Sequence, residues 1–198
     1  MSDLRFVLAS GSPRRRDLLA GLGLGFDVRP ADIDETPDEG EPAGDLVARL
    51  AHAKARTVTR PHELALGADS VVELDGRILG KPRDRADAAH MLRSLSGRTH
   101  IVHTGVAFEL DDGEGEPRSA MTVVTTAVTF VDIAADDIAW YVQTGDPLDK
   151  AGAYGLQSLG ARLVRTIDGS PTNVMGLPLA ETVDLAARLD VDLSQFRA

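Results

Sequence analysis

The chain has 198 residues, 43% of them hydrophobic, a formal net charge of −10 and no cysteine. That length allows one substantial core, or two lobes sharing a cleft, but not several independent domains, and the missing thiols exclude disulfides and thiolate metal sites, as suits a reducing cytosol. The acidic balance argues against a broad surface for nucleic-acid polymers, and no apolar run approaches the ~20 residues of a membrane span, so the expectation is a soluble cytoplasmic protein.

Phe6-Val7-Leu8-Ala9 reads as a buried strand. It breaks at Ser10-Gly11 and leads into a helix expected from Pro13 to about Leu22, with Ser12 as N-cap. Arg14, Arg15 and Arg16 therefore fall in a first helical turn, beside free backbone N–H groups and the positive end of the macrodipole. Three cations there cost helix stability unless an anion joins them, and phosphate is the anion that suits the position best. The bland alternative is a solvated turn. A second strand is expected around Phe26–Ala31, followed by an acidic loop, Asp32–Asp45. Glu35 lies in it and could hold a hard divalent cation, although such loops are more often plain surface.

A helix over roughly Pro42–Thr59 places Leu46, Val47 and Leu50 on one face, and Lys54 shares that stripe. Either the lysine snorkels outward or it points inward to meet an anion. Leu64–Leu74 reads as a buried strand, and Asp75-Gly76 signals a type I′ hairpin before Arg77-Ile78-Leu79 returns. Asp69 interrupts that strand. A carboxylate in such a place must be paired, metal-bound or catalytic. Gly80-Lys81-Pro82 ends the return strand without the glycine spacing of a P-loop, leaving Lys81 as a point charge for a phosphate or an exposed turn residue. A helix capped at Asp84 runs until Ser96-Gly97, and two long strands, about His100–Leu110 and Ser119–Val131, suggest an antiparallel hairpin. Ala135–Gln143 reads as a helix with Trp140 and Tyr141 as core or partner contacts. The Gly-punctuated run Asp149–Gln157 permits close backbone approach to a ligand, and Gln157 can read a base edge with both donor and acceptor. A strand from Ala161 to Ile167 and a final helix opened by Pro178 complete the chain.

Leu8-Ala9-Ser10 with Ser12-Pro13-Arg14-Arg15, Gly67-Ala68-Asp69-Ser70-Val71-Val72, Gly80-Lys81-Pro82, Leu95-Ser96-Gly97, Asp149-Lys150-Ala151-Gly152 through Gln157, and Asn173–Pro178 together resemble the Maf family, in the family's order and over nearly the whole chain. The resemblance implies a single domain over 1–198 with an elongated α/β fold, a mixed sheet flanked by helices and two lobes around a cleft, like the inosine triphosphate pyrophosphatases. It implies a cytoplasmic, homodimeric enzyme that hydrolyses nucleoside triphosphates to monophosphate and pyrophosphate with Mg²⁺ or Mn²⁺, in a family linked to arrest of cell division and cleansing of the nucleotide pool. Asp69 matches the family's catalytic aspartate, described as the proton acceptor; Ser10, Arg15, Glu35, Lys54, Lys81 and Gln157 match its other cleft residues. Arg14, Ser70 and Gln157 fall where the family sets base preference. Tyr154-Gly155-Leu156-Gln157 resembles the branch acting on dTTP and UTP, with two departures: Ser70 replaces that branch's usual threonine, and Ser158 a common glycine.

Both lines give one mechanism. Arg14, Arg15, Lys54 and Lys81 neutralise the triphosphate, and Asp69, helped by Glu35, holds a divalent cation. A carboxylate accepts the proton of the attacking water; Asp69 as base, as ligand or as both stays open. The rivals are a non-catalytic nucleotide-sensing regulator of cell division and a nucleotidyltransferase.

Overall fold

The computed structural model describes residues 4–197. Strands β1 (Arg5–Leu8), β2 (Asp27–Val28), β3 (Glu63–Leu74), β4 (Arg77–Leu79), β5 (Thr99–Asp111), β6 (Arg118–Phe130) and β7 (Val164–Asp168) form a mixed sheet in the order β2-β1-β3-β5-β6-β7, with β4 on β3. β1 runs parallel to β2 and β3, whereas β4 is antiparallel to β3 and β7 to β6. The helices are α1 (Pro13–Gly21), α2 (Ala43–Val58), α3 (Arg85–Leu95), α4 (Ala135–Gln143), α5 (Pro171–Met175) and α6 (Leu179–Ala187). The expected mixed α/β class is therefore observed. No described helix is long and apolar enough to cross a membrane.

Two compact units divide the chain. The first takes the residues up to Asp69, Thr104–Val124 and those from Gly176 onward. Its core gathers Phe6, Leu8, Leu64, Leu66, Phe108, Leu177 and Leu185. Helix α2 buries the stripe Leu46, Val47 and Leu50, as its spacing requires. Two glycines set how near it comes to the sheet: a Cβ on Gly67 would stand 2.0 Å from the Ala51 carbonyl oxygen, and one on Gly105 2.1 Å from that of Val47. Ala51, Ala55 and Ala107 fill the remaining contact with small side chains.

The second unit comprises Ser70–His103 and Thr125–Met175. Its core includes Val72, Leu74, Leu92, Leu95, Phe130, Tyr141 and Tyr154. His100 packs edge-on to Phe130 at 4.8 Å between centroids and bonds the Tyr154 hydroxyl through Nε2 at 2.8 Å. Burial pushes the His100 imidazole down to about 4. The β3–β4 turn has φ of 51° at Asp75 and 76° at Gly76, the left-handed pair a type I′ turn needs. Asp84 caps α3 by accepting the Asp87 N–H at 2.8 Å.

Ser12 occupies the N-cap of α1 as expected, without a side-chain cap bond; its own N–H donates to Ser10 Oγ at 3.2 Å. Two local expectations are corrected. β2 stops at Val28, two residues ahead of Pro30, which has no N–H to extend the ladder. Residues 161–163 lie in a 3-10 turn, Leu159–Leu163, and the strand begins only at Val164.

Candidate functional site

Six of the expected site residues, Ser10, Arg14, Arg15, Glu35, Lys54 and Asp69, belong to the first unit. Lys54 is rooted on α2, which Gly67 and Gly105 let settle close on the sheet, and its stem runs inward rather than to solvent. Its side chain is 8% exposed, and Nζ donates to Asp69 Oδ1 at 2.7 Å and meets Glu35 Oε1 at 2.5 Å. Asp69, on the same face of β3 as Gly67, has a side chain only 13% exposed. The choice that the stripe left open for Lys54 thus resolves toward the carboxylates.

Arg15 lies within electrostatic reach of Asp69 and Glu35. Its Nε donates to the Gly176 carbonyl at 2.8 Å, and Nη1 to Ser10 Oγ at 3.2 Å. Burial lowers the Arg15 pKa most, the Asp69 charge opposes that, the Arg14 charge adds to it and Glu35 opposes it, the net shift being downward. Arg14, Arg15, Glu35 and Asp69 therefore share one electrostatic neighbourhood. Ser10, itself buried, positions Arg15 by accepting a hydrogen bond from its guanidinium.

Sequence reasoning missed what holds Glu35. Arg49 of α2 grips Glu41 with two bonds of 2.7 Å and donates to the Thr36 carbonyl at 3.2 Å, tying the acidic loop to the helix that carries Lys54. That grip brings Glu41 down to about 2. An arginine eight residues after a glutamate on a helix approach was the available signal.

The remaining expected residues belong to the second unit. Ser70 follows Asp69 along β3, so it lies on the strand face opposite to that carboxylate. Lys81 is exposed in the bend after β4, and Gln157 is exposed in its loop. That loop is anchored by Asp146, another residue the sequence did not mark. Its Oδ2 accepts from the Tyr141 hydroxyl at 2.7 Å and from Ser158 Oγ at 2.8 Å, while buried Lys150 donates to the Asp146 carbonyl at 2.6 Å and to Asp149 Oδ1 at 2.6 Å. Burial disfavours the Asp146 charge, but these bonds and the ammonium outweigh it and hold the carboxyl below its ordinary range. A Cβ at Gly155 would stand 2.7 Å from the Lys150 Cδ and Cε and displace that stem.

Among the described residues no group of three or more His, Cys, Asp or Glu could form a complete metal cage. Glu35 and Asp69 do converge on one cation, the Lys54 ammonium. Two hard oxygen donors of this kind fit Mg²⁺ or Mn²⁺ when the ligand supplies phosphate oxygens and water completes the shell.

A family model described as Maf-like protein matches residues 5–189. A protein of Anaeromyxobacter sp. (strain Fw109-5) named dTTP/UTP pyrophosphatase is 52% identical over 184 residues, covering 93% of this chain and 89% of that one. Proteins of the same name from Myxococcus xanthus and Moorella thermoacetica are each 50% identical, covering 94% and 96% of this chain and 93% and 97% of theirs. A solved nucleoside-triphosphatase / dITP/XTP pyrophosphatase from Mycobacterium abscessus aligns at 16% identity over 93% of this chain and 94% of that one, with a TM-score of 0.43, too remote a likeness to bear on the chemistry.

Proposed function

The chain belongs to the Maf family, and from that premise we propose that it hydrolyses dTTP and UTP to the nucleoside monophosphate and pyrophosphate in the cytoplasm. The observation that carries this reading is the meeting of Lys54, Arg15, Glu35 and Asp69 in one partly shielded group. The shared name of relatives at about 50% identity supports the choice of substrate.

Arg14 and Arg15 bind the triphosphate at the start of α1, where the helix N-terminus adds its own partial positive charge. Each charge-assisted contact is worth about 1.5–3 kcal/mol when well formed. Arg15 is oriented for this by Gly176 and Ser10, which fix its fork before the nucleotide arrives. Lys54 adds a point charge for the phosphates, while the Maf resemblance is what assigns Lys81 a like role and gives Arg14, Ser70 and Gln157 a part in the choice of base. Asp69 and Glu35 would hold a divalent cation, which supplies charge neutralisation on the phosphate oxygens when bound. Asp69 takes the proton of the water that attacks the α-phosphorus, its low exposure keeping bulk water from competing for the carboxylate.

A panel of common and modified nucleoside triphosphates, assayed with Mg²⁺ and with monophosphate and pyrophosphate quantified separately, tests the reading. UTP and dTTP are expected to give the two products in equal amounts. Tight binding of every nucleotide without turnover would instead mark a sensor, and product formed only with an added acceptor alcohol a nucleotidyltransferase.

A further inference from the structure

The two carboxylates assigned above to a divalent cation are already bridged by a cation that cannot diffuse away. Lys54 Nζ stands 2.5 Å from Glu35 Oε1 and 2.7 Å from Asp69 Oδ1, on a side chain 8% exposed. Mg²⁺ demands carboxylate oxygens at about 2.0–2.1 Å and Mn²⁺ makes similar hard-donor contacts, so an ion between these oxygens and the ammonium would claim the same space. Their like charges also repel at such a separation, in a group where the charge of Arg15 already acts on Asp69.

We propose that Lys54 is a tethered competitor of the divalent cation: it bridges and holds Glu35 and Asp69 in the nucleotide-free protein, and it yields them only when a triphosphate offers its ammonium a new set of anionic oxygens. The proposal rests on the reading of Asp69 and Glu35 as the metal's ligands. The exchange needs no backbone movement. Helix α2 is held against the sheet by the Gly67 and Gly105 contacts, while a lysine, a compact charge on four rotatable methylenes, changes partner by rotamer alone. Metal and nucleotide then bind with positive coupling, and each tightens the other by the same factor. A practical consequence is that metal alone finds a closed door, and the metal–nucleotide complex is the species that binds.

Mn²⁺ binding, followed by the loss of the free-ion electron paramagnetic resonance signal, tests this without turnover. The nucleotide-free wild type is expected to bind Mn²⁺ weakly. Lys54→Met and Lys54→Gln, which remove the charge without and with a hydrogen-bond donor left in its place, are each expected to bind it at least about tenfold more tightly. Lys54→Arg, which keeps a cation in place, is expected to stay as weak as the wild type. A non-hydrolysable UTP analogue should tighten Mn²⁺ binding far more in the wild type than in Lys54→Gln. Mn²⁺ affinity in both neutral variants equal to or below the wild-type value overturns the competition. Adding Asp69→Asn to Lys54→Gln separates the two levels: if Mn²⁺ affinity does not fall, the ligand assignment itself is wrong and the proposal goes with it.

Discussion

Arg15 illustrates how much of this site depends on one side chain's shape rather than its charge. The guanidinium spends Nε on Gly176 and Nη1 on Ser10, bonds whose directions come from a rigid planar fork. Arg15→Lys keeps the charge and loses the fork, so KM for UTP is expected to rise roughly tenfold with the fold intact, measured by steady-state kinetics beside thermal melts. His100 gives a prediction about stability instead. Its folded pKa, brought to about 4 by burial, lies below the ordinary 6.5, so the folded imidazole stays neutral where the unfolded one takes a proton. Stability from this group is complete above pH 6.5, is lost as pH falls from there toward 4, and changes no further below; the whole effect is on the order of 3 kcal/mol. His100→Gln should flatten the slope of unfolding free energy between pH 6.5 and 4 in urea titrations, and an unchanged slope would remove His100 from the account.

At the scale of elements, α2 is what places Lys54, and its placement is a matter of contact distance. The apolar stripe Leu46, Val47, Leu50 was legible from spacing, and so were the Asp75-Gly76 hairpin and the Asp84 cap, because each is a local pattern with a local physical cause. The need for glycine at 67 and 105 was not, since both residues are in ordinary strands and only the helix backbone lying over them excludes a Cβ. Gly105→Ala should therefore lift α2 from β5 at a cost of about 1–3 kcal/mol or more, read as a lower urea midpoint, and should lower turnover beyond that expected from the unfolded fraction. Loss of stability with full turnover per folded molecule would mean that the height of α2 does not matter to Lys54. The Asp146 anchor escaped notice for a related reason: its partners come from α4 (Tyr141), from the link between two short 3-10 turns (Lys150) and from the loop beyond them (Ser158), a convergence with no sequence period.

Across the whole molecule, a net charge of −10 argues against a broad surface for nucleic-acid polymers and leaves a small anion held by a few clustered cations open. Residue types and order marked Arg14, Arg15, Glu35, Lys54 and Asp69, the Maf resemblance added Ser10, and the structure places all six in one unit. What the sequence did not disclose is the partner of each charge: that Lys54 faces two carboxylates and Arg15 a carbonyl are facts of tertiary packing. The most direct trial of the central claim is single-turnover hydrolysis of UTP in H₂¹⁸O by the wild type and by Asp69→Asn. The account predicts UMP carrying the label, unlabelled pyrophosphate, and a rate at least about 100-fold lower in a folded variant that still binds UTP. Turnover at the wild-type rate by Asp69→Asn, or products of UDP and inorganic phosphate, would contradict it.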